Sequence, residues 1–254
     1  MEDRVLSFYE ALARSYHLLF EDWNRSIERQ AKAHSAILTA EMPGRPLKIL
    51  DCACGIGTQA LGLAALGHRV VGSDLSPAAV ARARREAADR GLEISFHVSD
   101  MTSLAEIEDG DFDVAAAFDN AIPHLSAERV RLAVAAMGSK LRPGGLFLAS
   151  IRDYDRIAKE KPKVDGPAFF GGRGKRRIVH QVWDWIDDER HTVHLYITVE
   201  SESGWTAHHF VSEYRCLPRD ELSRALQASG FKDVRWMMPS ETGLYIPLVL
   251  ARRQ

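Results

Sequence analysis

Asp51 and Asp74 are the side chains around which the chemistry of this sequence is arranged. Asp51 ends an apolar stretch, residues 47–51, that predicts a buried strand, and Asp74 closes a second predicted strand. A glycine-rich turn over residues 52–57 and a predicted helix over residues 58–66 lie between them. Strand, turn, helix and strand form one βαβ unit, whose ligand site lies at the carboxyl ends of its strands.

The identity of the ligand depends on charge. Gly55, Gly57 and Ala60 fit the pattern G-x-G-x-x-A, and Asp74 follows at a distance that suits a ribose diol, so a dinucleotide is one interpretation. Asp51 stands just before the turn, however, where a pyrophosphate would meet a like charge. S-adenosylmethionine carries an ammonium, a sulfonium and a ribose, and it therefore suits both carboxylates. A nucleotide-binding turn of another kind is the alternative.

The glycine turn resembles a family motif. The first motif of class I S-adenosylmethionine-dependent methyltransferases, in the form found in the glycine and sarcosine N-methyltransferase group, is matched by Asp51-x-Ala53-Cys54-Gly55-x-Gly57. The resemblance covers Lys48 to about Asp155 and is looser elsewhere. It implies an α/β fold: a Rossmann-like, seven-stranded, doubly wound sheet with an antiparallel C-terminal hairpin and a small antiparallel β insertion. It also implies S-adenosylmethionine as cofactor, S-adenosylhomocysteine as product, and no metal.

The resemblance assigns roles around the cofactor. After the third predicted strand, Asp100 would accept from the adenine amino group and Met101 would lie along the ring. The family has an aromatic, arginine-bearing N-terminal arm that closes over the cofactor, and here Trp23 and Arg29 are the candidates for touching the methionine end, with simple packing as the alternative. The expected cofactor-binding residues are Asp51, Ala53, Gly55, Gly57, Asp74, Leu75, Asp100, Met101, Asp119, Trp23 and Arg29.

A second group of polar residues follows the fourth and fifth predicted strands, where an acceptor would meet the methyl group. Asn120 and His124 match the family's N-x-x-x-H-L, and residues 152–155 keep three of the four residues of its R-N-Y-D. In the family that arginine holds a substrate carboxylate, which a guanidinium fork can bind through two hydrogen bonds. A structural ion pair with Asp153 or Asp155 is the alternative. The candidate catalytic residues are His124, Arg152, Asn120 and Tyr214.

The rest of the chain predicts one methyltransferase domain over residues 1–254, with a helical arm over 1–44 and a loop and antiparallel insertion over 156–215. Residues 5–40 are helical in pattern, and residues 156–175 read as a loop rich in Lys, Pro and Gly. Further helices are predicted over residues 78–90, 127–141 and 218–229. Further strands are predicted over 94–98, 114–118, 146–151, 177–186, 191–200, 206–215, 234–238 and 245–251.

The insertion leaves several interpretations open. Trp183 and Trp185 share a strand face and either floor a pocket for a cationic amine or pack in the core, which we favour. The basic run at 173–177 replaces aromatic residues of the glycine enzymes, which argues against glycine itself as the acceptor. That run fits a solvated loop rim better than a phosphate or RNA site. His191 and His194 face opposite sides of a strand, so we expect no shared metal.

Composition is that of an ordinary globular protein, with 46% hydrophobic and 27% charged residues and a net charge of -2. We therefore expect neither a membrane nor nucleic acid as partner, and a small-molecule methyl acceptor instead. Three cysteines, and no apolar signal core near the first residues, favour a cytoplasmic setting, with a Cys-x-Cys metal site as a minor alternative. A homo-oligomer is an open alternative to a monomer.

The expected reaction is an in-line methyl transfer to a small amine that bears a carboxylate. Three rivals remain: an O- or N-methyltransferase of secondary metabolism, a methyltransferase of RNA or a phosphate-bearing metabolite, and a non-catalytic protein that binds the cofactor.

Overall fold

Two β-sheets organise the chain in a computed structural model that describes residues 2–254. The strands of the larger sheet are β1 (Lys48–Asp51), β2 (Arg69–Asp74), β3 (Ser95–Val98), β4 (Phe112–Ala117), β5 (Leu141–Ser150), β10 (Phe231–Met237) and β11 (Leu248–Arg253). Their order is β10-β11-β5-β4-β1-β2-β3. The first five are parallel, and β11 runs antiparallel to both β5 and β10. The predicted seven-stranded sheet with its closing hairpin is confirmed.

Helices cover both faces of this sheet. They are α1 (Glu2–Leu12), α2 (Trp23–Glu41), α3 (Thr58–Ala65), α4 (Pro77–Asp89), α5 (Ala127–Lys140), α6 (Tyr154–Glu160), α7 (Arg219–Ala228) and α8 (Pro239–Thr242). The buried residues of α2, α3 and α4 share one apolar cluster with the sheet, and those of α5, α6 and α7 share another. The sheet is therefore wound on both sides, and strands such as β4 are buried along their whole length.

The order of the strands locates the ligand site. The chain passes from β1 outward to β2 and β3, and then returns to place β4 on the other side of β1. A crevice opens at the carboxyl ends of the strands where the order reverses in this way. Asp51, Asp74 and Asp119 lie at or just beyond three of those ends.

The insertion forms the second sheet. Its strands are β6 (Val164–Phe170), β7 (Arg177–Trp185), β8 (Arg190–Ser201) and β9 (Gly204–Arg215), all antiparallel in chain order. One face of this sheet packs against α1, where Phe8 and Leu12 meet Leu195 and Ile197. The arm is thus held between the insertion and the mouth of the main sheet.

Two expectations about elements are wrong. Residues 156–175 are not one continuous loop, because α6 extends to Glu160 and Val164–Phe170 form β6; only residues 161–163 and 171–175 lack regular structure. Strand β6 is an exposed edge strand, and it lacks the apolar alternation that would have identified it in the sequence. The helical pattern over residues 5–40 breaks into α1 and α2, joined by a 3-10 turn at Tyr16–Leu19. Asp22 caps α2 by accepting a hydrogen bond from the Arg25 amide, so the second helix begins independently of the first.

Candidate active site

A cavity of about 410 Å³ opens at the carboxyl ends of the parallel strands. It is lined by eight of the residues that the sequence nominates: Ala53, Gly55, Asp74, Leu75, Asp100, Met101, Asp119 and His124. Helix α1 contributes Val5 and Tyr9 to the opposite wall, and Tyr16 follows from the 3-10 turn. The cavity therefore combines the strand ends with the N-terminal arm.

Asp51 lies fully buried beneath this cavity, at the end of β1. Its Oδ1 accepts a long hydrogen bond of 3.4 Å from the Ala53 amide, and its Oδ2 has no partner within residues 2–254. Burial raises the pKa of Asp51 to about 8, and the nearby carboxylates Asp74 and Asp119 push it in the same direction. An acid in this state is stabilised by a cation placed beside it.

The glycine turn leaves room above the strand ends. Gly57 has a φ of 96° and precedes the first residue of α3, a conformation that residues with a Cβ rarely adopt. Gly55, with a φ of 52°, borders open space, so a ligand can approach its backbone closely. The Gly55 amide donates to Asp74 Oδ2 at 2.9 Å, and the Ser76 amide donates to Oδ1 at 2.9 Å. Asp74 is thereby held in a single orientation at the wall.

The third strand end carries a charged pair. Asp100 accepts from Arg129 Nη2 at 2.6 Å and from the Thr102 amide at 2.8 Å. Burial alone would raise its pKa, but these hydrogen bonds hold the pKa of Asp100 below its usual range. The carboxylate is therefore ionised at neutral pH and oriented as a hydrogen-bond acceptor. Arg129, on α5, also lines the cavity and was not anticipated from the sequence.

The residues after β4 adopt a rare backbone. Asp119 and Asn120 have φ values of 53° and 66°, which are uncommon for residues other than glycine. Asp119 accepts from Gln59 Nε2 and from the Tyr245 hydroxyl, both at 2.8 Å. Asn120 points away from the cavity: its Nδ2 donates to the Tyr154 hydroxyl, and its Oδ1 accepts from the Arg152 amide. Asn120 thus positions the start of the segment that carries Arg152.

His124 belongs to a chain of hydrogen-bonded rings. Its Nδ1 lies 3.1 Å from the Glu213 carbonyl oxygen, which can only accept, so Nδ1 carries the proton. Its Nε2 then accepts from the Tyr9 hydroxyl at 2.9 Å. Tyr214 packs on the His124 ring with centroids 4.0 Å apart. Burial lowers the pKa of His124 to about 4, so the ring is neutral at physiological pH.

Arg152 lies in a second cavity, of about 630 Å³, whose wall also includes Trp183 and Tyr245. Its Nη1 donates to Asp165 at 3.1 Å and its Nη2 to Gln181 at 3.3 Å, while the guanidinium sits 5.0 Å from the Trp183 ring centroid. The alternative partners Asp153 and Asp155 pair with Arg219 instead. Trp183 and Trp185 both pack with the core. The ring face of Trp183 that could have received a substrate cation is covered by the Arg152 guanidinium.

The structure does not bring Trp23 to the cavity. Its indole donates to Thr58 Oγ1 at 2.9 Å and packs beneath the guanidinium groups of Arg82 and Arg90. Trp23 therefore joins α2 to α3 and α4. This is the simple packing role that the sequence left open as the alternative to a cofactor contact. Arg29 is exposed and outside the cavity lining, although its charge lowers the pKa of Asp119 against the larger effect of burial.

The arm contributes residues that sequence reasoning missed. Tyr9 contacts His124, and Glu10 Oε1 accepts from Ser76 Oγ at 2.6 Å and from the Ala78 amide at 2.8 Å. These partners are more than sixty positions apart in the chain, so local spacing could not reveal them. Tyr9 and Tyr16 belong to the aromatic side chains of the arm, but no local pattern distinguishes them from residues that only pack.

Within residues 2–254, no cluster of three or more His, Cys, Asp or Glu side chains has a geometry that could hold a metal ion. No helix in the described part of the chain is long and apolar enough to cross a membrane.

Comparison with known proteins adds independent information. Residues 49–145 match the family model described as "Methyltransferase domain". Similar stretches occur in Hemagglutinin 1 of Eikenella corrodens, at 35% identity over 54% of this chain and 45% of the relative. They also occur in glycine/sarcosine N-methyltransferase of Parasynechococcus marenigrum, at 32% identity over 60% of this chain and 52% of the relative. Glycine N-methyltransferase of Mus musculus is 28% identical over 78% of this chain and 67% of its own. The chain spans about half the length of the first two relatives.

Solved structures share the fold of this chain. An S-adenosylmethionine-dependent methyltransferase from Clostridium acetobutylicum superposes with a TM-score of 0.73 at 14% identity, covering 89% of this chain and 91% of that one. An amino pentose methyltransferase from Micromonospora echinaspora, solved with S-adenosylmethionine bound, superposes with a TM-score of 0.73 at 22% identity. The match covers 90% of this chain and 92% of that one. Fold, glycine motif and family model agree: residues 49–145 match a methyltransferase domain, and the chain has the fold of S-adenosylmethionine-dependent methyltransferases.

Proposed function

We propose that this protein transfers a methyl group from S-adenosylmethionine to the amine of a small acceptor that carries a carboxylate. The observation that carries the cofactor assignment is Asp51, whose buried Oδ2 lacks a partner in the described part of the chain. An ammonium on the amino-acid end of the cofactor supplies the missing charge. Asp74 and Asp100, fixed by backbone amides and by Arg129, present acceptor oxygens for the ribose and for the adenine amino group.

When bound, S-adenosylmethionine supplies an activated methyl group. The acceptor nitrogen forms a bond to the methyl carbon as the carbon–sulfur bond breaks, the sulfonium becomes a neutral thioether, and the methylated ammonium later releases a proton to solvent. The protein's contribution is alignment and exclusion of water. The Tyr9 hydroxyl donates to neutral His124, so the lone pairs on its oxygen can accept from an amine N–H in the cavity. With a pKa near 4, His124 suits this orienting role better than that of a general base.

The second cavity supports a carboxylate-bearing acceptor. Arg152 lines it, and Asn120 joins the Arg152 backbone to the strand end that carries Asp119. Tyr245 lines the second cavity and donates to Asp119 in the first, so the two cavities meet at this hydrogen bond. A carboxylate on Arg152 would leave the other end of the acceptor directed toward the cofactor cavity. Glycine/sarcosine and glycine N-methyltransferases among the relatives support the same acceptor class.

A larger amine is the second candidate, and the volume of the second cavity favours it. About 630 Å³ falls within the range of about 300–1,000 Å³ typical of drug-sized ligands, far more than the smallest amino acid fills. Structural neighbours include an amino pentose methyltransferase and a sugar N-methyltransferase. If the acceptor is such an amine, its apolar or cyclic part would lie against Met238 and Ile246 in the wall of the second cavity.

The test is methyl transfer from labelled S-adenosylmethionine to glycine, sarcosine, dimethylglycine, larger amino acids, amino sugars and RNA in parallel. We expect label on a carboxylate-bearing amine, and a loss of kcat/KM of about 10–100-fold in Arg152→Lys, which keeps the charge but loses the two-pronged fork. Label on an amino sugar with Arg152→Lys unaffected would select the second candidate. Failure of the protein to bind S-adenosylmethionine in calorimetry would overturn both.

A further inference from the structure

Both terminal nitrogens of Arg152, which the proposed function assigns to the acceptor carboxylate, already have partners within this chain. The Nη1 atom donates to Asp165 Oδ2 at 3.1 Å, and the Nη2 atom donates to Gln181 Oε1 at 3.3 Å. A carboxylate binds a guanidinium best through two parallel N–H groups. An acceptor carboxylate at these nitrogens therefore competes with Asp165, which is the charged member of the two partners.

Of the two partners, Asp165 is the one that can leave. Gln181 lies on β7, between β6 and β8, and its Oε1 also accepts from Trp183 Nε1 at 2.9 Å. The Asp165 side chain is 53% exposed, and within residues 2–254 it forms an ion pair with Arg152 alone. A half-exposed ion pair is weak, because water competes for both charges. The acceptor carboxylate can therefore replace Asp165 while Gln181 stays in place.

The backbone around Asp165 belongs to the edge of the insertion sheet. Strand β6 pairs with β7 alone, and Asp165 stands opposite Gln181 in their register. Directly after Asp165 the pairing shifts by one residue, and it resumes at Ala168 opposite Val179. Such a bulge redirects the side chains beside it and is common next to active sites. Asp165 can therefore move without disturbing the pairing among β7, β8 and β9.

Arg152 keeps its position without Asp165. Its backbone amide donates to Asn120 Oδ1 at 2.9 Å, and its guanidinium lies 5.0 Å from the centroid of the Trp183 ring. Trp183 is buried and is fixed in turn by its hydrogen bond to Gln181. These contacts hold the guanidinium at the wall of the second cavity. Departure of Asp165 therefore frees one nitrogen of the fork without releasing the arginine.

Exchange of one carboxylate for the other leaves Asp165 without a cation. Two other acids in the wall of the second cavity keep their own partners, since Asp153 pairs with Arg219 and Glu160 pairs with Arg156. Asp165 then places an uncompensated negative charge beside the bound acceptor. A second anionic group on the acceptor would be repelled by this charge, whereas a neutral or cationic side chain would be tolerated.

We propose that Asp165 is a specificity-determining residue, whose carboxylate occupies the acceptor's binding position on Arg152 and is exchanged for the carboxylate of the acceptor. This inference rests on the proposed function, and it narrows the acceptor class to amines with a single carboxylate. Because the acceptor must displace Asp165 before it binds, the exchange weakens acceptor binding and leaves the later methyl transfer unchanged. Asp165 therefore raises KM for these acceptors without affecting kcat.

Steady-state kinetics of the full chain test the exchange with glycine, sarcosine, alanine and phenylalanine, each beside its primary amide. For at least one acid, wild-type kcat/KM should exceed that of the amide at least about tenfold. Asp165→Asn should lower KM for that acid about fivefold, keep kcat within about twofold and leave the amide unaffected. Asp165→Ala should act in the same direction. Asp184→Asn, which removes an exposed carboxylate from β7, is the matched control and should leave KM unchanged.

Titration calorimetry adds a measurement that does not depend on turnover. With S-adenosylhomocysteine present, the dissociation constant of the same acid should fall about fivefold in Asp165→Asn. Aspartate tests the selection by charge, and its kcat/KM relative to that acid should rise in Asp165→Asn. Unchanged selectivity against aspartate would overturn the restriction to a single carboxylate.

The outcomes separate this inference from the proposed function. A wild type that does not distinguish any of the acids from its amide would overturn the proposed function and the exchange with it. A wild type that does distinguish them, together with a KM that is unchanged or raised in Asp165→Asn, would overturn the exchange and leave the proposed function standing.

Discussion

At the scale of single residues, the site depends on groups whose ionisation is suppressed by burial. Asp51 is an acid without a charge partner, and His124 is a base that stays neutral. Burial without a partner destabilises a charged group, so the ligand-free protein holds Asp51 largely protonated at neutral pH. A cation arriving above Asp51 reverses that preference, and the resulting attraction is strong because little water intervenes.

Asp51→Asn should therefore weaken S-adenosylmethionine binding about 10–100-fold, since it keeps the shape but removes the charge that the ammonium needs. Titration calorimetry measures the effect directly. Ser73→Ala is a suitable control, because Ser73 is buried in the adjacent strand and its hydroxyl also lacks a partner in the described residues. Equal affinities for Asp51→Asn and the wild type would remove Asp51 from the cofactor site.

Tyr9→Phe tests the orienting role of the arm. The substitution keeps the ring that packs edge-on against His124 and removes only the hydroxyl that His124 accepts from. We expect kcat to fall about 10–100-fold with the acceptor found in the transfer assay, while the cofactor dissociation constant stays within about threefold. Tyr196→Phe, on strand β8 and outside the first cavity, is the control. A normal kcat would show that the acceptor does not use Tyr9.

At the scale of elements, the sequence predicted what local chemistry decides. The strand β1, the glycine turn and α3 follow from one continuous pattern. The helix predicted over residues 78–90 is α4, which Ser76 caps by accepting a hydrogen bond from the Ala79 amide and which begins at Pro77. The carboxylates at the strand ends follow from these elements, because parallel strands bring their carboxyl ends to one edge. Eight nominated residues accordingly line one cavity.

What the sequence could not predict depends on contacts between distant segments. Strand β6 is mostly exposed and interrupted by Pro167, so it lacks the alternation that identified β7 to β9. Trp23 was the aromatic candidate of the arm, but the break at the 3-10 turn lets Trp23 pack against α4, while Tyr9 on α1 contacts His124. Only the tertiary arrangement distinguishes them.

Glu10 is the residue by which α1 closes over the cavity, because its carboxylate accepts from the first turn of α4. An anion at a helix N-terminus is favoured by the helix dipole and by the amides there. Glu10→Ala should loosen the arm and raise the rate of cofactor dissociation about tenfold, measured by stopped-flow displacement. Arg14→Ala, an exposed change on the same arm, is the control. An unchanged rate would mean that the arm does not retain the cofactor.

At the scale of the whole molecule, the two sheets contribute to different cavities. The parallel sheet brings Asp74 and Asp100 to the wall of the first cavity, with Asp51 buried beneath it, and the insertion supplies Asp165 and Trp183 around Arg152. The arm joins them, since α1 packs on the insertion through Phe8 and closes the cofactor cavity through Tyr9.

Titration of the buried groups predicts how the stability of the ligand-free protein depends on pH. The pKa of His34, His124 and His191 is lowered from 6.5 to about 4, so these bases bind protons more readily when unfolded, and their contribution is lost as pH falls from 6.5 toward 4. The pKa of Asp51 is raised from 3.8 to about 8, so its contribution is full below pH 3.8 and lost as pH rises toward 8. Below pH 6.5 these three histidines, together with His17 and His68 whose pKa values burial also lowers, outweigh the buried aspartates, and above pH 6.5 the aspartates decide the slope.

Stability of the ligand-free protein should therefore peak near pH 6.5 and decline toward pH 8, with Asp74 and Asp119, whose pKa values burial also raises, adding to the decline. Urea unfolding between pH 5 and 8.5 measures both limbs. Asp51→Asn should flatten the alkaline limb by up to about 1.4 kcal/mol per pH unit while leaving the acid limb in place. Saturating S-adenosylmethionine should flatten the same limb in the wild type, because a bound cation lets Asp51 ionise at no cost. If the wild type and Asp51→Asn decline in parallel above pH 6.5, the pKa of Asp51 is not raised in the ligand-free protein, and the explanation of the alkaline limb fails.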